Sequence, residues 1–388
     1  MFLNKINFIE IPKMKKKLSQ RHILFAIDSL TGRGHEKAMI NLGEELVRSG
    51  HLVTFIIYEN IIEFDIDPRI NIFALNPRIH RGLRIFSRLT DYKNVDMFNL
   101  LLSKIEAQNG AIDLILSSLP RMDRILSLIN DDRIYHIIGN ALSVQSGIRK
   151  NKWRKKISRI WHMKRIYDGR KLIGMSRGVG DDLVKYVKVR PALFQAIYNP
   201  FNFSQIKVLA TQPLKLPRNL KSKDYLLHIG AFTLQQKRQD LLIKAFALSK
   251  LKCKLVLLGK GKDEEKIRSL IKHHKVSDRV LLAGFQKNPF PWIRHARLFV
   301  LSSDYEGLPA VLIESLVVGT PALSTDCPSG PSEIFSKSML DCLVKCGDAE
   351  ALAAKMKAFY IKPPQIDKKS LKRFEATSIA KEYLKLID

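Results

Sequence analysis

What the chain lacks narrows it first. No stretch of its 388 residues approaches the roughly 20 consecutive apolar residues that a membrane-spanning helix needs. The opening segment, "MFLNKINFIEIPKMKKKLSQ", has no continuous apolar centre of the kind a secretory signal carries. It reads as a basic extension (1–20) ahead of the first strand, with Met14 as an alternative start. Cysteine is scarce: Cys253, Cys327, Cys342 and Cys346 show no paired metal-ligand spacing, so reduced thiols in a cytoplasmic protein are expected. Glycine and proline number 20 and 16 beside an apolar fraction of 46%, which excludes a disordered chain and sets a globular one in its place. Acid is in deficit, with 37 Asp and Glu against 66 Lys and Arg and a net charge of +29. Such a balance calls for a polyanionic partner, and nucleic acid, anionic lipid and nucleotide substrates all qualify.

What is present is a pattern that runs twice. The length exceeds one ordinary core, so two domains are expected. Short apolar runs at 21–28, 52–59, 70–75, 113–119, 134–139 and 171–176 read as buried strands. Helical stretches lie between most of them, among them "HEKAMINLGEELVRSG" (35–50). "AIYNP" (196–200) closes that pattern, and the polar, proline-containing "TQPLKLPRNLKSKD" (211–224) reads as a linker. The pattern restarts with runs at 225–230, 253–259, 280–285, 298–303 and 321–326. Buried strands alternating with helices predict α/β architecture with parallel, doubly wound sheets. The expected boundaries are a first domain at 21–200, a linker at 201–224, a second domain at 225–370, and a closing helix within 371–388 that crosses back to the first. Two Rossmann-like domains facing each other across a cleft would bring both sets of strand ends to one ligand.

The chemistry concentrates at the strand ends. After the first strand, Gly32 and Gly34 in "DSLTGRGHEKAMINL" permit a tight turn, and the helix that follows offers its N-terminal amides to an anion. In the second half, Lys237 and Arg238 stand where a loop gives way to a helix. Adjacent cations there are unfavourable with the helix dipole, so an anion between them is one explanation and a solvated basic turn the other. In "SSDYEGLPAVLIESLVVGTP" (302–321), Pro309 suits the first helical position, and Gly319 with Pro321 ends the helix. Glu306 lies on the preceding turn, while Glu314 falls within an apolar run. A buried carboxylate must be hydrogen-bonded: either a protein group pairs with Glu314, or a ligand such as a ribose does. "DID" (65–67) reads as a solvated turn rather than a metal-binding pair.

Charge is uneven along the chain. Residues 149–190 hold fifteen Lys or Arg against three Asp. Within them, "RKNKWRKKISRIWHMKR" interleaves Trp153, Ile157, Ile160 and Trp161 with cations at helical spacing. That composition fits a helix lying on a membrane surface, or a basic helix whose tryptophans pack on the core. "NPRIHRGLRIFSRL" (76–89) is a second basic amphipathic patch.

The segments "IGAFTLQQKRQDLLIKAF", "LVLLGKGKDEEKIRSLI", "VLLAGFQKN", "LFVLSSDYEGLPAVLIESLVVGTPALSTDCPSGPSEI" and "VKCGDAEALAAKM" resemble the retaining GT-B glycosyltransferases of family 4 (group 1). The resemblance is strongest over about 225–360, and the "DCPSGPSEI" stretch is similar to the branch that builds lipopolysaccharide, capsule and lipid-linked glycans. It implies catalytic roles for Glu306, Lys237 and Arg238, with the two cations on the donor diphosphate and Glu306 near the transferred sugar. It further implies that Glu314 binds the ribose, that Gly307, Leu308 and Pro309 flank the sugar and the phosphates, that Phe285 lies near the base, that Gly34 approaches the diphosphate, and that Gly230 belongs to the donor-binding set. Ala231 stands where many relatives have Arg after the glycine matching Gly230, so Arg238 is expected to supply that charge. Asn140 stands where many carry a His on the acceptor side, with His136 four residues earlier.

The implied function is transfer of a sugar from a nucleotide-diphospho-sugar, with a UDP-sugar favoured, to a lipid-linked or lipopolysaccharide-core acceptor at the inner face of a bacterial cytoplasmic membrane. The nucleotide sugar is a substrate; no cofactor or metal and no specific nucleic acid is expected. Two alternatives are weighed: a basic nucleic-acid- or membrane-binding protein without catalysis, against which stands the absence of a readout motif; and another GT-B enzyme such as a nucleotide-sugar epimerase, which needs further acid/base groups.

Overall fold

The computed structural model describes residues 20–31, 34–75, 87–148, 153–218 and 220–387. The basic extension with Met14, the glycine at position 32 and residues 76–86 of the second basic patch lie outside them. The chain divides into two compact units. Residues up to Met175, Val179–Pro200 and Ala376 onward belong to the first; Ser176–Gly178 and Phe201–Glu375 belong to the second.

The first unit is built on seven parallel strands. They are β1 (His22–Ile27), β2 (Leu52–Ile57), β3 (Asn71–Ala74), β4 (Leu114–Ser118), β5 (Ile134–Ile138), β6 (Lys171–Gly174) and β7 (Leu193–Ala196), in the order β3-β2-β1-β4-β5-β6-β7. Every residue of β1, β2, β4 and β5 is buried, because helices cover both faces of the sheet; this is why these strands read as unbroken apolar runs. Phe25 and Phe55 stack at 4.6 Å on one face. The helix Gly34–Arg48 covers that face, and the chain's last helix, Ala376–Leu384, packs beside it, placing Ile379, Ala380 and Tyr383 in the same core.

The second unit has six parallel strands, β8 (Tyr225–Ile229), β9 (Lys254–Leu258), β10 (Val280–Gly284), β11 (Leu298–Leu301), β12 (Ala322–Thr325) and β13 (Leu343–Val344), ordered β10-β9-β8-β11-β12-β13. The polar stretch before β8 is preceded by the helix Phe203–Ala210, capped by the Asn202 side chain, which packs against the helices Phe290–His295 and Ala310–Val318. β8 is the first strand laid down, and its neighbours β9 and β11 lie on opposite sides, so the switch point of the sheet falls between β8 and β11. There the ladder is short. β8 pairs with β9 from Tyr225 to Ile229, but with β11 only at Leu226 and Leu227.

Among the described residues, no helix is long and apolar enough to cross a membrane. The basic helix runs Trp153–Tyr167. Its apolar residues do not share one face, contrary to the sequence expectation. Ile160, Met163, Ile166 and Tyr167 pack on the core, whereas Ile157 and Trp161 point outward at 56% and 60% exposure. One apolar stripe satisfies the sheet; the other is left among Lys155, Lys156, Arg159 and Arg165, all exposed.

Candidate functional site

The site residues of the second unit gather at the C-terminal ends of β8 and β11. After β11, "SSDYEGLP" turns into the helix Ala310–Val318, with Pro309 just before its first residue and Gly319 closing it at φ 95°. Ser302 Oγ donates to the Lys237 carbonyl at 2.7 Å, and Thr325 Oγ1 donates to the Ser303 carbonyl at 2.6 Å. These bonds fix the loop from both flanks. Glu306 Oε1 then accepts two bonds, from Lys237 Nζ at 2.6 Å and from Ser303 Oγ at 2.5 Å. The side chains of Lys237 and Glu306 are 16% and 7% exposed. A largely desolvated ammonium–carboxylate pair thus sits at the edge where ligands of such sheets bind.

Arg238 is placed differently from Lys237. It joins the short helix Leu234–Lys237 to the helix Gln239–Ser249 in left-handed geometry, φ 51°. Its guanidinium grips both oxygens of Asp304 at 2.8–2.9 Å and those of Asp240 at 3.0–3.2 Å. The bonds to Asp240, outweighing partial burial, push its pKa up, and those to Asp304 add to it. Two carboxylates therefore already occupy Arg238 within the protein, and each of the two adjacent cations has a carboxylate partner of its own rather than a shared anion or open solvent.

Gly307, Leu308 and Pro309 are buried beneath the loop "DCPSGPSEI". Gly330 in that loop has φ 107°, and a Cβ there would lie 2.6 Å from Pro309 Cδ and 2.8 Å from the Gly307 carbonyl oxygen; only glycine allows this approach. Glu314, on the helix, is buried among Leu312, Ile313, Leu316 and Val317. Phe285 follows β10 and is 66% exposed, with Lys260 Nζ 5.3 Å from its ring centre. Gly230 lies against the stem of Lys237.

Gly34 and Asn140 belong to the first unit. Gly34 starts the helix Gly34–Arg48, and a side chain there would meet nothing within 4 Å. Asn140 is exposed just beyond β5. His136 is turned inward, its Nδ1 3.0 Å from Asp123, which also accepts from Ser117 and Tyr167. Asp67 of the "DID" turn bonds Arg69 two residues on. Among the described residues no group of three or more His, Cys, Asp or Glu is placed to hold a metal ion.

Sequence reasoning passed over Ser303 and His228. Ser303 is an ordinary residue in a polar turn, with no signal to mark it. His228 was the one polar residue in "YLLHIG", and that was its signal. Its ring is fully buried, and burial above all lowers its pKa to about 4, so the imidazole is neutral at ordinary pH.

Two doubly wound parallel sheets in one chain give the protein the GT-B fold, and the cation–carboxylate pair lies at the carboxyl edge of the second sheet. Comparison with known sequences places it more closely. Residues 215–378, nearly all of them in the second unit, match the model of "Glycosyl transferases group 1". The chain is 39% identical over 142 residues to an uncharacterized glycosyltransferase of Methanocaldococcus jannaschii, covering 35% of each. It is 32% identical over 177 residues to the N-acetylgalactosamine-N,N'-diacetylbacillosaminyl-diphospho-undecaprenol 4-alpha-N-acetylgalactosaminyltransferase of Campylobacter jejuni, covering 46% of this chain and 47% of that one. The matches thus span about a third to a half of the length of these relatives. In fold it is similar to sucrose-phosphate synthase from Thermosynechococcus elongatus, with a TM-score of 0.71 and 18% identity over 95% of this chain and 98% of that one.

Proposed function

We propose that the protein is a retaining, metal-independent glycosyltransferase that takes a hexosyl or N-acetylhexosaminyl group from a UDP-sugar and delivers it to a lipid-linked or lipopolysaccharide-core glycan. The observation that carries this reading is the Lys237–Glu306 pair, held by Ser303 at the switch-point edge of a group 1 domain. The activity for which the Campylobacter relative is named, transfer to a diphospho-undecaprenol-linked glycan, supports the acceptor class.

Departure of a nucleoside diphosphate leaves negative charge on its terminal phosphate, and a fixed cation there lowers the barrier. Lys237 is that cation in this reading, and Glu306 then lies beside the transferred sugar. Arg238 shapes the loop through Asp304 and adds positive potential. Glu314 takes the ribose, Phe285 the base, and Gly230 with Gly307–Pro309 the backbone-lined floor. The leaving phosphate accepts the acceptor's proton on the same face, which retains configuration without a covalent Glu306 adduct. The protein works as a peripheral protein on an anionic membrane surface, reached through the outward stripe of the helix Trp153–Tyr167. Its exposed Trp161 and Ile157 among cations have the amphipathic form such binding uses.

The test is product formation from UDP-sugars with a lipid-linked acceptor, with and without EDTA. Transfer that survives EDTA and vanishes in Lys237→Met is expected. A trapped glycosyl–Glu306 adduct, or activity restored only by Mn²⁺, would overturn the mechanism.

A further inference from the structure

At the switch point of the second sheet, β8 and β11 part after Leu227 and Phe299. Just beyond this point the Nδ1 of His228 lies 3.0 Å from the carbonyl oxygen of Val300. A carbonyl only accepts, so Nδ1 carries the proton, and Nε2 of the neutral ring is a bare acceptor. That Nε2 is buried and has no partner. An unmet buried acceptor is uncommon and calls for an explanation.

Its surroundings supply one. A point at the Cβ position of Gly230 lies 3.5 Å from Nε2 and 3.4 Å from both Cδ and Cε of Lys237. His228 Nε2 and the stem of the site's lysine therefore both flank the space over Gly230, which has no side chain to fill it. In the present structure the ammonium of that lysine is spent on Glu306. If Glu306 is to face a sugar, this pair has to open.

We propose that His228 is a positioning residue of the donor site: its Nε2 is the second acceptor for the Lys237 ammonium, which leaves Glu306 for His228 and the phosphate when a diphosphate binds. Glu306 is thereby released to the sugar only when donor is present. The proposal rests on the donor-site reading above and adds to it the route by which the resting ion pair is undone.

The experiment is a double-mutant cycle read by UDP and pyrophosphate affinity, using wild type, His228→Phe, Lys237→Met and the double variant. His228→Phe should weaken binding five- to thirtyfold in the wild-type background and change it less than twofold in the Lys237→Met background. His228→Gln, which keeps an acceptor, should recover most of the loss. Equal losses in both backgrounds would reduce His228 to a packing residue and overturn the proposal. Should His228→Phe fail to fold, imidazole ¹⁵N spectra of the wild type decide: Nε2 must move from a bare to a hydrogen-bonded shift on adding pyrophosphate, and an unmoved signal refutes the idea. Failure of the wild type to bind any nucleoside diphosphate would instead remove the donor site, and this inference with it.

Discussion

Replacing Lys237 with methionine isolates the charge while keeping most of the stem. In the structure Lys237 Nζ is 2.6 Å from Glu306 Oε1, and the two side chains are 16% and 7% exposed. Without ligand the change leaves Glu306 with only the Ser303 hydroxyl. Breaking a fully buried pair costs about 3–5 kcal/mol; with partial exposure and the Ser303 bond retained, about 1–2 kcal/mol is expected. With ligand the loss is larger in consequence. A hydrogen bond to a charged group contributes about 1.5–3 kcal/mol, so the diphosphate should bind roughly 10- to 150-fold more weakly. At 100 times its dissociation constant a nucleotide stabilises the wild type by about 2.7 kcal/mol. The unit carrying the site is mainly residues 201–375, a size at which each kcal/mol moves Tm by about 2–4 °C. The wild type should therefore shift by about 5–11 °C. At the same nucleotide concentration, a variant 30-fold weaker keeps a gain of about 0.9 kcal/mol and a shift of about 2–3.5 °C. Thermal melts with UDP, GDP and ADP read this directly. Equal shifts in wild type and variant would refute the assignment of Lys237 to the phosphates.

The remaining predictions concern other parts of the molecule. Gly259 has φ +147°, and a Cβ there would fall 2.0 Å from the Gly230 carbonyl oxygen; Gly259→Ala should cost more than about 2 kcal/mol in urea unfolding, and a loss within about 0.5 kcal/mol would contradict the packing described. Asp28, with burial as the main cause, has its pKa raised from 3.8 to about 6. The proton it gains on folding gives stability that is present below about pH 4 and lost as pH rises through about 6. Asp28→Asn should therefore flatten the stability–pH curve over that window, and an unchanged slope would count against the shift. Reversing Lys155, Lys156 and Arg159 to Glu should abolish flotation with anionic vesicles, since each cation near such a surface contributes about 1 kcal/mol; unchanged flotation of the variant with the same vesicles would dismiss this face as the membrane surface.

The sheets were legible where their strands are covered on both faces. β1, β2, β8 and β9 read as apolar runs because nearly every side chain in them is enclosed. β7 was not legible, since an edge strand with its residues half open, in the pattern Leu193 exposed, Phe194 partly buried, Gln195 exposed, carries no such run. β13 is only two residues long. At the site, sequence motifs located Lys237 and Glu306, but nothing local says that residues 69 apart form a pair. Nor does adjacency reveal that Arg238 faces Asp304 while its neighbour faces Glu306. The split of the basic helix into two apolar stripes was hidden for the same reason: periodicity counts apolar positions without knowing which flank the core takes.

The last helix has a consequence for how the protein is made. Ile379, Ala380 and Tyr383 are nearly inaccessible within the core that begins at β1. The full core of the first unit therefore includes residues up to Tyr383, whereas the whole of Phe201–Glu375 is encoded before that helix. Domains generally fold as they leave the ribosome, yet here the core that begins at β1 is completed by a helix encoded far downstream in the message.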